Sequence, residues 1–337
     1  MEKGYRNGSG AITSGDVARF ANVSQATVSR VFNYSDKVRA ETIARVHNAA
    51  QELGYIPNAI ARGLSSKQTD MIALVSVRFD NPFYQTLLIQ ISDMISELGK
   101  KVLLIQTQFD QDLGDILLKV MEYQVDGAIV LSAALSEETV GKFVNARIPL
   151  VIFNKHFDSR NFFSVSSDNL DAGSLVADHF IERGYDSFGF ISGLQLSQTS
   201  DFRYKGFSER LSVRGFSKIS SVSGDYSYRS GFGGILEMGK QGPMPRAVFC
   251  VNDLMALGAM DAARQVLGLK VPEDIAFVGF DNLEQSTWQS YQLTSVKQPV
   301  NEMIRHTANY LNDRFNNVET SCGYILLKCK LEQRNSS

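Results

Sequence analysis

Short apolar segments alternate with amphipathic segments from residue 70 onward, and this alternation limits the possible folds more than any other feature of the sequence. The first series of apolar segments lies at residues 71–77, 101–106, 127–131, 149–153 and 163–165. A second series lies at residues 188–192, 218–222, 247–251 and 275–280. Apolar strands that alternate with helices indicate parallel, doubly wound sheets. Two such series predict an α/β body of two lobes with a cleft between them.

The first 56 residues have a different pattern, which predicts three short helices. Thr13 and Asp16 have the spacing of a capping box at the start of the first helix. Ser24 can cap a second helix, in which Val28 and Val31 face inward. Because a four-residue turn joins these two helices, the pattern is typical of a helix-turn-helix DNA-binding domain. A plain three-helix bundle fits the same pattern.

The distribution of charge along the chain favours contact with a polyanion. Residues 1–67 contain nine Lys or Arg and five Asp or Glu, a net charge of +4. The remainder contains 25 and 31 of these residues, a net charge of −6. A basic head on an acidic body is typical of a nucleic-acid-binding module joined to a sensor domain.

Side chains on the outer face of the second helix suit contact with DNA. Gln25 can pair with adenine through two hydrogen bonds, and Arg30 can bind guanine or a phosphate. Thr27, Ser29 and Asn33 can bond the sugar–phosphate backbone without reading sequence. The second helix is therefore the candidate recognition helix.

Residues 57–69 are interpreted as a hinge helix and a linker. Pro57 suits the first position of a short helix, which also contains Asn58 and Arg62. Leu64, at the end of this segment, suits a wedge that enters the minor groove and kinks the DNA. A linker that docks Leu64 on the body is the alternative interpretation.

Three segments resemble the lac-repressor (LacI/GalR) family: Asp16-Val17-Ala18, residues 23–33 (VSQATVSRVFN) and residues 53–64 (LGYIPNAIARGL). The resemblance extends from Ile12 to about Leu331. It implies a cytoplasmic homodimer that binds double-stranded operator DNA and whose body, like a periplasmic binding protein, holds a small-molecule effector. The predicted DNA contacts are Thr13, Ser24, Gln25, Ala26, Thr27, Ser29, Arg30, Asn33, Asn58, Ala61, Arg62 and Leu64. The sequence departs from the family at Gly15 and at Arg39, which both lie at predicted helix starts.

These patterns divide the chain into three parts. Residues 1–56 are the predicted DNA-binding domain, residues 57–69 the hinge helix and linker, and residues 70–337 the effector-binding and dimerisation domain. The chain is expected to cross between the two lobes near residues 166–168, 295–299 and 320–324.

Polar and aromatic side chains follow several predicted strands, at the edge where parallel α/β sheets bind ligands. Arg203 opens a helix in the second series and Asp281 follows a buried strand, and the family resemblance makes these two the expected ligand clamp. The predicted effector site comprises Phe83, Tyr84, Ser132, Asn154, Arg203, Tyr226, Asn252, Asp281 and Gln298. Several of these residue types also suit simple structural roles, such as a helix cap at Asn252 or Asp281.

A carbohydrate or related polyol is the expected effector, because this edge combines flat aromatic surface with hydrogen-bond donors and acceptors. The sequence leaves a disaccharide, a sugar acid and a purine open. Lys155 and His156, together with Arg203, also leave an acidic ligand open.

Two other classes of protein fit parts of the pattern. A solute-binding protein would need an export signal, and the polar N-terminal residues contain no apolar signal region. An α/β enzyme would need a base–nucleophile pair or metal ligands at the cleft. The four histidines are scattered, so no metal, cofactor or catalytic residue is expected, and no apolar run is long enough to cross a membrane.

Two further patterns have structural interpretations. The segment Gly231-Phe232-Gly233-Gly234 lacks the Lys-Ser/Thr of a phosphate-binding loop and is interpreted as part of a tightly packed helix. Cys322 and Cys329 are expected to be buried on a C-terminal strand.

Overall fold

The computed structural model describes residues 12–33, 37–57, 69–77, 81–107, 113–131, 137–157, 161–195, 197–320 and 322–337. The chain divides into two compact units, Met1–Asp70 and Met71–Ser337. None of the helices in these ranges has the length and apolar content that a bilayer-crossing segment needs.

The first unit contains the three predicted helices, α1 (Ser14–Phe20), α2 (Gln25–Asn33) and α3 (Ala40–Leu53). Thr13 caps α1 through the predicted capping box, so Gly15 does not prevent the helix from starting. Arg39 precedes α3 without capping it through its side chain, and Gly54, whose φ of 65° is left-handed, follows the last helical residue. Buried valine and alanine side chains, among them Val17, Val28 and Val46, form a small core between the helices.

The second unit contains two doubly wound sheets, which confirms the predicted α/β fold. The first sheet has the strand order β11-β5-β4-β3-β1-β2 and the second has the order β12-β10-β9-β8-β6-β7. All recorded pairings are parallel except the antiparallel pairing of β10 with β12. The strands are β1 (Met71–Val77), β2 (Lys101–Thr107), β3 (Gly127–Leu131), β4 (Leu150–Phe153), β5 (Phe163–Ser167), β6 (Phe188–Ser192), β7 (Ile219–Ser223), β8 (Ala247–Cys250), β9 (Ala276–Phe280), β10 (Thr294–Lys297), β11 (Gly323–Leu327) and β12 (Lys330–Glu332).

Helices cover both sheets and define two lobes. The first lobe consists of the first sheet with α4 (Pro82–Glu97), α5 (Leu113–Glu122), α6 (Glu137–Asn145) and α11 (Val300–Phe315). The second lobe consists of the second sheet with α7 (Asn169–Glu182), α8 (Gln198–Val213), α9 (Tyr228–Gln241), α10 (Asp253–Gln265) and a 3-10 helix at Glu284–Thr287. Each lobe has its own buried core of aliphatic and aromatic side chains.

The chain crosses between the lobes three times. The first crossing follows β5 at Asp168, and the second lies between β10 and α11. The third does not lie at residues 320–324 as expected, because Leu327 still pairs with Ser167 in the first sheet. Only from Lys330 onward does the chain pair with β10 of the second sheet. The third crossing is therefore at residues 328–329.

The two C-terminal cysteines flank β11 rather than lying on it. Cys329 is buried, whereas Cys322 is only partly buried, so the expectation that both are buried is wrong for Cys322. The reason is that β11 is the edge strand of the first sheet, and only one side of it is paired.

Glycines let two helix pairs of the second lobe pack backbone against backbone. A Cβ atom added to Gly173 of α7 would lie 2.1 Å from the Arg203 carbonyl oxygen, and one added to Gly206 of α8 would lie 1.9 Å from the Leu170 carbonyl oxygen. Gly231 of α9 and Gly258 of α10 make an equivalent reciprocal contact at 2.0 and 2.1 Å. The interpretation of residues 231–234 as a tightly packed helix is confirmed.

Buried His179 of α7 makes the stability of the second lobe depend on pH. Its Nε2 lies 2.9 Å from the Ser337 hydroxyl oxygen. Burial, with a smaller effect of the Arg183 charge, lowers the pKa of His179 to about 4. Because this is below the unfolded value of about 6.5, His179 contributes stability above pH 6.5 that is lost as the pH falls toward 4.

Between pH 7 and pH 5, we expect the wild-type chain to lose about 1–2 kcal/mol more unfolding free energy than a His179→Gln variant. The glutamine keeps a polar group near Ser337 but does not titrate. Urea unfolding of both proteins at the two pH values measures the difference. The same loss in both proteins would contradict this role of His179.

Candidate functional site

The exposed face of α2 is the candidate DNA interface in the first unit. Gln25, Ser29 and Arg30 are exposed, whereas Val28 and Val31 on the opposite face are buried. The Gln25 side-chain amide donates to the Ser14 hydroxyl at 2.9 Å, which holds Gln25 at the start of the helix. A polar exposed face on a helix fixed from behind by apolar contacts suits insertion into the major groove.

The other predicted DNA-contacting residues of the first unit lie near this face. The Ser24 hydroxyl accepts a hydrogen bond from the Thr27 backbone N–H at 3.1 Å and so caps α2. Asn33 donates to the Ser29 hydroxyl at 3.2 Å, and Thr13 caps α1. Ala26 is exposed in the first turn of α2. The predicted hinge residues Asn58, Ala61, Arg62 and Leu64 lie outside the described residues.

Arg203 is the centre of the candidate site in the second unit. It is buried in α8, where Nε donates to Asn169 Oδ1 at 2.8 Å and Nη1 donates to the Val251 carbonyl oxygen at 2.6 Å. Its guanidinium lies 3.3 Å from the centre of the Phe280 ring. Burial lowers the pKa of Arg203, and the charge of Asp281 acts in the opposite direction. Nη2 has no hydrogen-bond partner within the described ranges, so its two N–H groups are available to a ligand.

Asp281 lies close enough to Arg203 for the charge of each to act on the pKa of the other, and its hydrogen bonds reach two of the crossings between the lobes. Its carboxylate accepts hydrogen bonds from Gln298 Nε2 at 2.7 Å and, across the cleft, from Asn81 Nδ2 at 3.4 Å. Gln298 in turn accepts from the Ser167 hydroxyl at 2.8 Å. Burial raises the pKa of Asp281 to about 6, although the charge of Arg203 lowers it. We call Arg203 and Asp281, with their direct partners, the Arg203–Asp281 site.

Among the remaining predicted effector residues, two tyrosines lie near Arg203 and Asn252 has a structural role as a helix cap. Tyr226 and Tyr84 lie close enough to Arg203 for their phenol groups to influence its pKa. Asn252 caps α10 through the Met255 N–H and donates to the Tyr226 carbonyl oxygen at 3.0 Å.

On the first-lobe side of the cleft, Asn154 is buried directly after β4 with a φ of 61°. Phe83 packs in the core of the first lobe, and Ser132 lies outside the described residues.

A cavity of about 760 Å³ opens between the first turns of α4, residues 281–285 and the last two crossings. Asp281, Gln298 and Phe83 line it, whereas Arg203, Asn154, Tyr226 and Asn252 do not. We place the candidate site at Arg203 and Asp281 rather than in the outer part of this cavity. The reason is that Arg203 and Asp281 are buried, oriented groups, whereas much of the cavity wall consists of exposed side chains such as Lys328.

Asp253 organises the turn that presents Asp281, a role that the sequence did not reveal. Its fully buried carboxylate accepts from the Leu283 N–H at 2.7 Å and from the Ser286 and Ser295 hydroxyls at 2.6 Å each. Burial raises the pKa of Asp253 to about 7. Asp281 and the next residue have left-handed φ values of 108° and 53°, so this turn is strained and depends on such bonds.

We expect Asp253→Ala to lower the unfolding free energy by about 2–3 kcal/mol, because it leaves one buried N–H and two hydroxyls without an acceptor. Denaturant unfolding measures the loss. Glu273→Ala is the matched control, since it removes an exposed acid of the same lobe and should change stability by less than about 0.5 kcal/mol. Equal stability of the two variants would contradict the role of Asp253.

Known sequences match both units of the chain. Residues 13–58 match the family described as bacterial regulatory proteins, lacI family, and residues 177–337 match a periplasmic binding protein-like domain. Catabolite control protein A of Priestia megaterium is 33% identical over 97% of this chain and 99% of that protein. The HTH-type transcriptional repressor PurR of Aliivibrio salmonicida is 31% identical over 89% of this chain and 91% of that protein.

Solved structures of regulators have the same fold over nearly the whole chain. The lac repressor dimer bound to operator and the anti-inducer ONPF has a TM-score of 0.87 at 26% identity, covering 97% of this chain and 99% of that chain. The complex of the transcriptional regulator CelR with cellobiose has a TM-score of 0.73 at 30% identity, covering 97% of this chain and 100% of that chain.

Proposed function

The chain belongs to the lacI family of bacterial regulatory proteins, and from this premise we propose that it is a cytoplasmic, homodimeric transcriptional repressor whose operator affinity is controlled by a carbohydrate or related polyol. DNA binding and transcriptional regulation come with the family. The mode of control, the class of effector and the assembly are our proposal, as is the absence of an enzymatic activity.

The observation that carries the proposal is the position of the Arg203–Asp281 site. It holds available guanidinium donors beside a carboxylate, which is the arrangement that binds adjacent hydroxyl groups. The same carboxylate is joined through Gln298 and Ser167 to two lobe crossings. We propose that a ligand bound here acts on these two crossings and so changes the angle between the lobes.

Control of DNA binding follows from linkage between the two ligands. The effector and the operator each bind one arrangement of the lobes more tightly than the other. Whether they prefer the same arrangement or different ones, each changes the affinity of the chain for the other by the same factor.

We propose that Gln25, Ala26 and Arg30 read base edges and that the segment from Asn58 to Leu64 enters the minor groove. The solved complex of the similar regulator CelR with cellobiose favours a carbohydrate over a purine as the effector of this chain.

Selection of DNA from a random pool with the purified full chain tests the proposed function. A two-fold dimer with a hinge wedge is expected to enrich a pseudo-palindrome with a flexible pyrimidine–purine step at its centre. Arg30→Ala should lose this enrichment, whereas Arg45→Ala, which removes one exposed positive charge from α3, should keep it. Enrichment of a single asymmetric site, or unchanged selection by Arg30→Ala, would contradict the proposal.

A further inference from the structure

Residues 281–283, which we call the Asp281 turn, have a backbone that is unfavourable without support from the rest of the lobe. Asp281 and Asn282 have left-handed φ values of 108° and 53°. Residues other than glycine keep such conformations where the surrounding structure holds them. The contacts of the Asp281 turn therefore decide where the Asp281 carboxylate lies.

The backbone N–H groups of the Asp281 turn are held from within the second lobe. The Asp281 N–H donates to the backbone of β10 at 2.9 Å. The Asn282 N–H donates to the Ser295 hydroxyl at 2.9 Å, and the Leu283 N–H donates to the Asp253 carboxylate at 2.7 Å. These bonds hold the backbone of the turn but do not involve the side chain of Asn282.

Arg334 holds that side chain. Its Nη2 donates to Asn282 Oδ1 at 2.6 Å, and its Nη1 donates to the Leu293 carbonyl oxygen at 2.6 Å. Leu293 directly precedes β10, so one guanidinium joins the Asp281 turn to the start of this strand. Because the guanidinium is planar and its donors have a fixed geometry, the two bonds together fix the turn relative to the strand.

An anchor for the C-terminal segment is the simplest alternative role of Arg334. That segment is already held by other bonds, because β12 pairs with β10 along the chain just before Arg334. Further on, the Ser336 hydroxyl donates to the Phe277 carbonyl oxygen at 2.6 Å and accepts from the Thr294 N–H at 2.9 Å. The bond from Arg334 to Asn282 is not required for this anchoring, whereas it reaches the residue next to Asp281.

Arg334 also brings the third lobe crossing to the Asp281 turn. The crossing at residues 328–329 leads directly into β12, and Arg334 follows this strand by two residues. The first two crossings reach Asp281 through Ser167 and Gln298. With Arg334, the segments at all three crossings are joined to the same turn.

We propose that Arg334 is a positioning residue of the effector site, which holds the Asp281 turn so that the Asp281 carboxylate faces the ligand beside Arg203. This inference rests on the proposed function and adds to its site a residue that does not itself contact the ligand. Loss of the Arg334 side chain leaves Asn282 Oδ1 without this donor. The turn then opens more often, and water reaches the Asp281 carboxylate.

Hydrogen exchange of the full chain tests the inference, with mass spectrometry of peptides that cover residues 281–286. Arg334→Gln should speed exchange of the Asn282 and Leu283 N–H groups at least about 10-fold, because the turn opens locally. Exchange in α9 of the same lobe should stay within about twofold of wild type. Unchanged exchange of the turn, or equal acceleration in the turn and in α9, overturns the inference.

Arg183→Gln is the matched control. The exposed Arg183 guanidinium donates to the Gln333 side chain, one residue before Arg334, at 3.4 Å. The control therefore removes an arginine from the same C-terminal segment and should leave exchange of the turn as in wild type. Arg334→Lys replaces the planar fork with one ammonium and should give an intermediate rate. A turn that Arg183→Gln loosens as much as Arg334→Gln does overturns the inference.

The titration of Asp281 gives a readout that a loss of stability alone does not move. Carbon-13 NMR of labelled aspartate carboxyl groups follows it, and Asp281→Asn identifies the signal. Burial raises the pKa of Asp281 to about 6. Because a loosened turn lets water reach the carboxylate, the midpoint in Arg334→Gln should be lower than in wild type by about 0.5 or more. An unchanged midpoint overturns the inference.

Failure of this inference is distinguishable from failure of the proposed function. Exchange and titration need neither effector nor DNA, so a negative result removes Arg334 from the site and leaves the regulator. Calorimetry with cellobiose measures the consequence for binding, and its affinity should fall about 10-fold in Arg334→Gln but not in Arg183→Gln. Equal affinity of Arg334→Gln and wild type overturns the inference. Absence of cellobiose binding by wild type counts against the proposed class of effector and not against Arg334.

Discussion

Replacement of Arg203 by alanine is expected to lower the affinity for the effector at least about 100-fold, since it removes charge-assisted donors from a buried site. The affinity for operator without effector should change by less than about threefold, because the first unit contains the proposed DNA contacts. The variant should therefore bind operator but no longer respond to effector. Operator affinity measured with and without effector checks both parts.

This substitution also removes internal hydrogen bonds, so stability needs its own control. Arg203→Ala removes the donors to Asn169 Oδ1 and to the Val251 carbonyl oxygen, and it removes the positive charge that acts on Asp281. We expect a loss of about 3 kcal/mol or more in unfolding free energy. Arg210→Ala, on the same helix, removes a partly buried arginine that pairs with Asp178 at 2.9 Å and should leave the response intact. An intact response in folded Arg203→Ala would remove this residue from the effector site.

Gly231→Ala is expected to lower the unfolding free energy of the second unit by about 4 kcal/mol or more. The added Cβ atom would lie 2.0 Å from the Met255 carbonyl oxygen, which belongs to the backbone of the neighbouring helix α10. A backbone atom cannot rotate away as a side chain can, so α9 and α10 must separate. The separation opens space in the core beneath both helices.

Gly233→Ala, two residues further along α9, is the matched control. A Cβ atom at this position meets no other atom within 4 Å. Since alanine favours a helix over glycine by about 1 kcal/mol, the control should be neutral or slightly stabilising. Thermal or denaturant unfolding of the two variants gives the comparison. Similar stabilities would show that the helices are not in the close contact described here.

Most inner strands of the two sheets were predictable because they are continuous apolar runs. The inner strand β10 was not predicted, because Val296 is its only apolar residue and the sequence indicated only a crossing there. The edge strand β11 was harder to place. Its residues alternate between partly buried and exposed, so they do not reveal which sheet the strand joins. The third crossing was consequently predicted too early in the chain. The pairing of Leu327 with Ser167, about 160 residues earlier, depends on the whole first lobe.

The candidate site was predictable to the extent that its residues follow strand ends. Asp281 was found in this way. Arg203, which was expected to open a helix, lies in the second turn of α8, close enough to Asp281 for their charges to interact. Asp253 was missed because its position after Asn252 suggested only a helix start. Its three donors come from residues 30 to 42 positions later in the chain. Asn81 was missed because its visible role is local: it caps α4 by accepting from the Phe83 N–H at 3.0 Å, whereas its bond to Asp281 spans 200 residues.

Operator affinity measured across a panel of neutral sugars, sugar acids and sugar phosphates tests the central claim, that ligand binding in the body controls DNA binding. Melting temperature identifies which compounds bind the wild-type chain. The account predicts that a compound that binds changes the operator Kd about 5–150-fold, and that operator changes the affinity for that compound by the same factor. A compound that raises the melting temperature through the Arg203–Asp281 site but leaves the operator Kd unchanged would contradict the account.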